Sequence, residues 1–201
     1  MVGARNVGVW RKVTSYEAER PAMPAMPAMS TTDDLFTLGP AANGLGSPSC
    51  SAVLSSCGQY RYELWRRWAE GPHVLFIMLN PSTADATNDD ATIRKCVAYA
   101  KRWGFGALCV GNLFAFRATD PKDMKAAADP IGPENNATLA RLASEAGVIV
   151  AAWGAHGTHM SRDKAVMKML PTINALHVTR DGSPGHPLYL KGDSTPFPLN
   201  A

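Results

Sequence analysis

The run Val74-Leu75-Phe76-Ile77-Met78-Leu79, closed by Asn80-Pro81, constrains the fold more than any other part of the chain. It is too short to cross a membrane, which takes about 18 apolar residues or more, and too uniformly apolar for a strand with one wet face. Bounded by Gly71-Pro72 before and Asn80-Pro81 after, it reads as a strand buried on both faces, of the kind parallel α/β sheets contain. Ligands in such sheets sit outside the carboxyl ends of the strands, so the stretch from Asn80 to Asp85 falls where chemistry is expected. Pro81 fixes its own φ and keeps Asn80 out of the helical region, which ends the strand and sets the direction of the Asn side chain.

The surrounding pattern agrees with this centre. Tyr60-Arg61-Tyr62-Glu63-Leu64 alternates and predicts an added edge strand, although Trp65-Arg66-Arg67-Trp68 would also suit a short helix. Asn88-Asp89-Asp90 supplies capping side chains for a helix in which Ile93, Cys96, Val97, Ala100 and Trp103 share a face and Gly104 is the stop. Ala107 to Val110 predicts a second buried strand that delivers Gly111-Asn112-Leu113-Phe114-Ala115-Phe116-Arg117. A helix over 134–146, a strand over 148–152 ending in Trp153-Gly154, a helix over 161–170 and a strand over 176–179 complete the series. Strand and helix alternate throughout, which predicts a three-layer α/β/α fold with a mainly parallel four-stranded central sheet plus the edge strand. The four loops then converge on one rim.

Before this domain the texture differs. Pro-Ala-Met repeats from Pro21 to Met29, and Gly39 to Ser49 is rich in Gly, Pro, Ala and Ser. Proline at every third position forbids a helix, so residues 1–49 are expected to be a disordered extension and residues 50–201 a single α/β domain.

Charge excludes little. With 20 basic and 17 acidic residues the formal net charge is +3, too small an excess to argue for nucleic acid or membrane by itself. The cysteines, Cys50, Cys57, Cys96 and Cys109, form no C-x2-C pair, against a zinc ribbon or a disulfide framework. No apolar run approaches membrane length and no continuous apolar leader opens the chain, so the expectation is a cytoplasmic, monomeric protein without a membrane or cofactor partner. Neither G-x-x-x-x-G-K-[ST] nor G-x-G-x-x-G follows a strand, which removes the usual phosphate loops. His156 and His159 with Asp163 lack a third-ligand pattern that would make a zinc site. Ser82, with His186 as its base, does not sit in a nucleophile elbow.

Four separated stretches carry a resemblance: Met78-Leu79-Asn80-Pro81-Ser82-Thr83-Ala84-Asp85, Asn112 to Pro121, Ala152-Trp153-Gly154, and His186-Pro187-Leu188-Tyr189-Leu190. Together, from about Ala52 to Pro198, they resemble domain-of-unknown-function family 1643. More distantly, an apolar strand ending in Asn-Pro, a strand ending in an Asn loop, a strand ending in Trp-Gly and a late His-Pro turn are similar to the uracil-DNA glycosylase superfamily. That resemblance implies a glycosylase-type hydrolase acting on a nucleobase linkage in DNA or a nucleotide. It implies that Asn80 orients water, His186 stabilises the departing base, Asn112 reads it, and Phe114 or Trp153 stacks on it. Pro81, Ser82, Thr83, Asp85 and Gly154 would complete the substrate-binding rim, with Arg117 on a phosphate. This chain departs from that pattern where His-Pro-Ser has become His186-Pro187-Leu188, and Asn80 cannot be a general base. A non-catalytic nucleic-acid or nucleotide-binding module of the same fold, or another small-molecule hydrolase or transferase, is the alternative.

Several residues also have a plainer role. Asn80 and Asn112 suit Asx turns at strand ends and His186 a turn before Pro187. Trp153 suits the core, Asp85, Asp89 and Asp90 a helix start, and Arg61, Arg66 and Arg67 the surface.

Overall fold

A computed structural model describes residues 49–82, 89–170 and 172–199. The expected extension over residues 1–49 therefore lies outside the described residues, apart from Ser49. Strands β1 (Ser49–Leu54) and β2 (Arg61–Arg67) lead into the buried run, which is β3 (His73–Met78). Helix α1 (Ala91–Arg102) and β4 (Ala107–Asn112) follow. The short α2 (Pro121–Ala126), α3 (Asn135–Glu145) and β5 (Val148–Ala151) come next. A 3-10 segment precedes α4 (Arg162–Met169), and the chain closes through β6 (Asn174–Ala175), a 3-10 turn over Pro187–Tyr189 and β7 (Phe197–Pro198).

These strands make one seven-stranded sheet in the order β1-β2-β4-β3-β5-β6-β7. The pairs β4·β3, β3·β5 and β5·β6 are parallel, whereas β1, β2 and β7 join antiparallel. The fold is thus mixed α/β. All six residues of β3 are buried, because its alternate side chains enter two different cores. Val74, Phe76 and Met78 join Leu108, Val110 and Val150 against Ile93, Cys96, Tyr99 and Ala100 of α1. Leu75 and Ile77 join Cys109, Ile149 and Ala151 against Leu139, Leu142 and Ala143 of α3 and Val166 of α4. Among the described residues no helix is long and apolar enough to cross a membrane.

Local chemistry sets the helix ends. Asp90 caps α1 by accepting the Ile93 N–H at 2.8 Å, and Gly104, at φ +82°, closes it. Asp120 caps α2, with Pro121 at the first helical turn; this helix has too few residues to show a periodicity.

Three expectations need correction. The strand expected at 60–64 runs to Arg67 and is not an edge, since β1 pairs along its outer side. The short helix considered for Trp65-Arg66-Arg67-Trp68 is strand through Arg67. The strand expected over 176–179 is instead the two-residue β6 just before it. Residues 176–179 turn back on themselves: the Gly185 N–H donates to His177 O at 2.7 Å and the Thr179 N–H to Ser183 O at 2.8 Å, around Gly182 at φ +83°. The Gly-Ser-Pro-Gly sequence gives these residues a local partner in place of the sheet.

The entrance to β4 shows how tightly the sheet is set. Trp68 and Ala69 both donate backbone N–H groups to Gly106 O, and a Cβ on Gly106 would lie 2.4 Å from Glu70 O and 2.6 Å from Ala69 O. Gly106→Ala is expected to destabilise the fold by about 1–3 kcal/mol, read as a lower urea midpoint with an unchanged slope.

Candidate functional site

The loops after β3 and β4 are joined by backbone hydrogen bonds that continue beyond the regular strands. Leu113 N–H donates to Met78 O at 2.8 Å, Phe114 N–H to Leu79 O at 3.0 Å and Ala118 N–H to Pro81 O at 3.0 Å. The start of β2 attaches to the same loop, Arg61 N–H to Ala115 O at 2.9 Å. At this rim lies a cavity of about 320 Å³ whose lining includes Arg61, Asn80, Asp90, Asn112, His186 and Tyr189, with Met78, Ser82 and Leu188.

Asn80 is held by its own amide. Its Nδ2 donates to Ala118 O at 2.8 Å and to Pro81 O at 3.1 Å. Both N–H donors therefore face the protein, and the carbonyl Oδ1 is the group the side chain can offer as an acceptor.

Asn112, the last residue of β4, is 2% exposed, and its Nδ2 has no hydrogen-bond partner among the described residues. A buried amide donor without a partner is costly, and this one belongs to a cavity wall. Its backbone is fixed from below. Asn135 Nδ2 donates to Asn112 O at 3.1 Å and Leu113 O at 3.0 Å, and Arg162 Nε donates to Leu113 O at 2.9 Å. The sequence signalled neither supporter: Asn135 resembles any polar residue at a helix start.

His186 stands before Pro187 at the head of the 3-10 turn, and its Nδ1 accepts the Leu188 N–H at 3.4 Å. That bond assigns the neutral ring's proton to Nε2, making it a donor. Burial holds the imidazole below its usual value, while the Asp90 charge acts in the opposite direction. The segment that carries it is strapped to α1. Lys95 Nζ donates to Leu188 O and Leu190 O, Tyr99 Oη to Lys191 O at 2.6 Å and Trp103 Nε1 to Ser194 O at 3.2 Å.

Of the three arginines expected at the surface, Arg61 and Arg66 are buried and Arg67 is half-buried. Arg61 is 5% exposed in the cavity wall, and Arg66 pairs with Asp89 at 2.7 Å. Burial, then the neighbouring Arg117 and Arg66 cations, bring Arg61 down to about 10, opposed by Asp90; it remains a cation at neutral pH.

The other predicted residues are dispersed. Phe114 is fully buried against His159, ring centroids 5.6 Å apart, and Trp153 is 3% exposed in the same core; neither lines the cavity. The exposed aromatic at the rim is Tyr189, 83% exposed and 5.7 Å from the His186 ring. Its place in His-Pro-Leu-Tyr was the available signal. Gly154 turns the chain at φ +67° and donates its N–H to Pro184 O at 2.9 Å, tying the third loop to the fourth. Arg117 is exposed, donates Nη1 to Gly58 O at 3.0 Å and lines a neighbouring cavity of about 310 Å³, which shares Ser82 with the first. Pro81 is buried and lines neither cavity. Thr83 and Asp85 lie outside the described residues. Among the described residues no group of three or more His, Cys, Asp or Glu is placed to hold a metal.

Compared with known protein families, residues 61–188 match the model described as "Protein of unknown function (DUF1643)". No curated protein and no solved structure matches the chain.

Two measurements test this geometry. Asn135→Ala removes one donor from each of two carbonyls, of which Leu113 O keeps Arg162 Nε, and is expected to cost about 1–3 kcal/mol in denaturant unfolding. For His186 the folded value lies below the ordinary 6.5. The unfolded chain therefore takes up the proton first, and the neutral ring's contribution is present above pH 6.5 and lost as pH falls through the folded value. Melting temperatures across a pH series should fall on acidification, and less steeply in His186→Asn, which keeps a capping side chain; His73, also lowered by burial, contributes to both slopes.

Proposed function

We propose, from the premise that the chain belongs to the DUF1643 family, whose matched span runs from one cavity-lining residue, Arg61, to another, Leu188, that the protein is a glycosylase-type hydrolase. Its substrate in this reading is a nucleobase N-glycosidic linkage in DNA or a nucleotide, handled by a monomer. The fold in this reading is a three-layer α/β/α arrangement of the uracil-DNA glycosylase type. Support for it comes from the two cores on opposite faces of the parallel strands and from the order in which Asn-Pro, Asn, Trp-Gly and His-Pro follow those strands.

One observation carries the proposal: Asn80 after β3, Asn112 at the end of β4 and His186 after β6 line a single cavity. Its volume lies at the lower end of the roughly 300–1,000 Å³ of small-molecule sites, which suits a base and part of its sugar. Cleavage of an N-glycosidic bond leaves positive charge on the sugar and negative charge on the departing base, so catalysis needs a placed water and donors aimed at the base. Asn80 Oδ1 would hold the water. The His186 Nε2–H and the unpartnered Asn112 Nδ2 would donate to the base, with the Arg61 cation favouring the anion and Tyr189 covering one face of the ring.

Asn80 carries no titratable group, and that favours a binding module of the same fold as the second reading. Purified protein incubated with a panel of damaged and modified DNA and nucleotides should release free base. His186→Ala should slow release by roughly 100- to 10,000-fold, and pairing it with Asn80→Ala should abolish it. A panel without release, with nucleic-acid binding that survives both substitutions, selects the binding module.

A further inference from the structure

The cavity holds a carboxylate that the glycosylase resemblance does not use. Asp90 lines the same wall as Asn80, Asn112 and His186, and no other carboxylate does so among the described residues. It is rigidly placed: its backbone is extended at φ −74°, ψ 175°, and Oδ1 accepts the Ile93 N–H at 2.8 Å as the cap of α1. An ionised carboxylate offers about four acceptor sites, and the cap uses one. The adjacent aspartate has a different assignment, since Asp89 pairs with the buried Arg66.

Resting on the glycosidic reading of this cavity, we propose that Asp90 is the general base of the reaction, while Asn80 only orients the water. The water oxygen forms a bond to the anomeric carbon as the bond from that carbon to the base nitrogen breaks. The electron pair of that bond leaves with the base, which accepts hydrogen bonds from His186 and Asn112. The water's proton passes to Asp90 and then to the departed base through solvent, so the products are the free sugar hydroxyl and the neutral base. The charge environment is consistent with this position: Asp90 acts electrostatically on both His186 and Arg61, two of the groups that would face the leaving base.

Asp90→Asn separates the two roles of the residue, because Asn caps a helix as well as Asp does. The wild-type chain and Asp90→Asn are compared on the substrate that the panel identifies, and on its 2′-fluorinated form, which binds but resists cleavage. The expected result is an unchanged melting temperature, unchanged affinity for the fluorinated form, and base release slowed by roughly 100- to 10,000-fold. Release within a few-fold of wild type would overturn the assignment of Asp90 and leave the glycosidic reading standing. Loss of affinity and melting temperature together with release would make Asp90 a structural cap and overturn it too. A wild-type chain that releases no base from any substrate overturns both.

Discussion

The rim of this protein depends on a sheet ladder that does not stop where its strands do. Buried backbone must find hydrogen-bond partners wherever it runs, and loops ordinarily avoid the problem by staying at the surface. Here the chain after β4 bonds back to the end of β3 and the chain after it at Leu113, Phe114 and Ala118, while Ala115, Phe116 and Arg117 donate to Ile131, Pro130 and Gln59. Pro81 fits because a proline has no N–H to satisfy, and its carbonyl still serves Ala118. Asn80 uses its side chain to satisfy the carbonyl that the backbone ladder leaves at Ala118. One asparagine amide therefore both completes the ladder and turns its oxygen outward.

Polar side chains support this rim from beneath, in places that hydrophobic patterning would assign to apolar residues. Asn135 and Arg162 bond the Asn112 and Leu113 carbonyls inside the protein, and Arg66 reaches Asp89 at the start of α1. Such groups add less to net stability than their hydrogen bonds suggest, because each had to leave water. What they supply is position: removing one partner leaves the other buried and unsatisfied. The cavity is thus framed by groups whose alternatives are all costly.

Much of the scaffold was legible because β3, β4 and β5 are short continuous apolar runs between breakers, and α1 has a face, a cap and a glycine stop. The pairing of Asn80, Asn112 and His186 in one cavity was legible for the same reason, since parallel strands put their following loops on one rim. Arg61 was not. Alternation in Tyr60 to Leu64 describes a half-exposed strand, and nothing local reveals that the loop after β4 and the cavity wall bury its charged side. Trp153 and Phe114 could be read both ways: large aromatics after strand ends suit a stacking platform or a core, and both are buried, with Gly157 admitting the indole so closely that a Cβ would meet it at 2.1 Å. The fourth strand failed because local turn chemistry around Gly182 competed with sheet pairing and won.

The segment that bears His186 contains little regular structure of its own, and the bonds that tie it to α1 reach main-chain carbonyls of Leu188, Leu190, Lys191 and Ser194. A carbonyl is the same group in every amino acid. The side chains of residues 188–194 can therefore vary in shape and chemistry while the imidazole stays where it is, provided Lys95, Tyr99 and Trp103 remain to grip the chain. Substrate preference at this edge, where Tyr189 stands in solvent, is free to drift independently of the machinery below it.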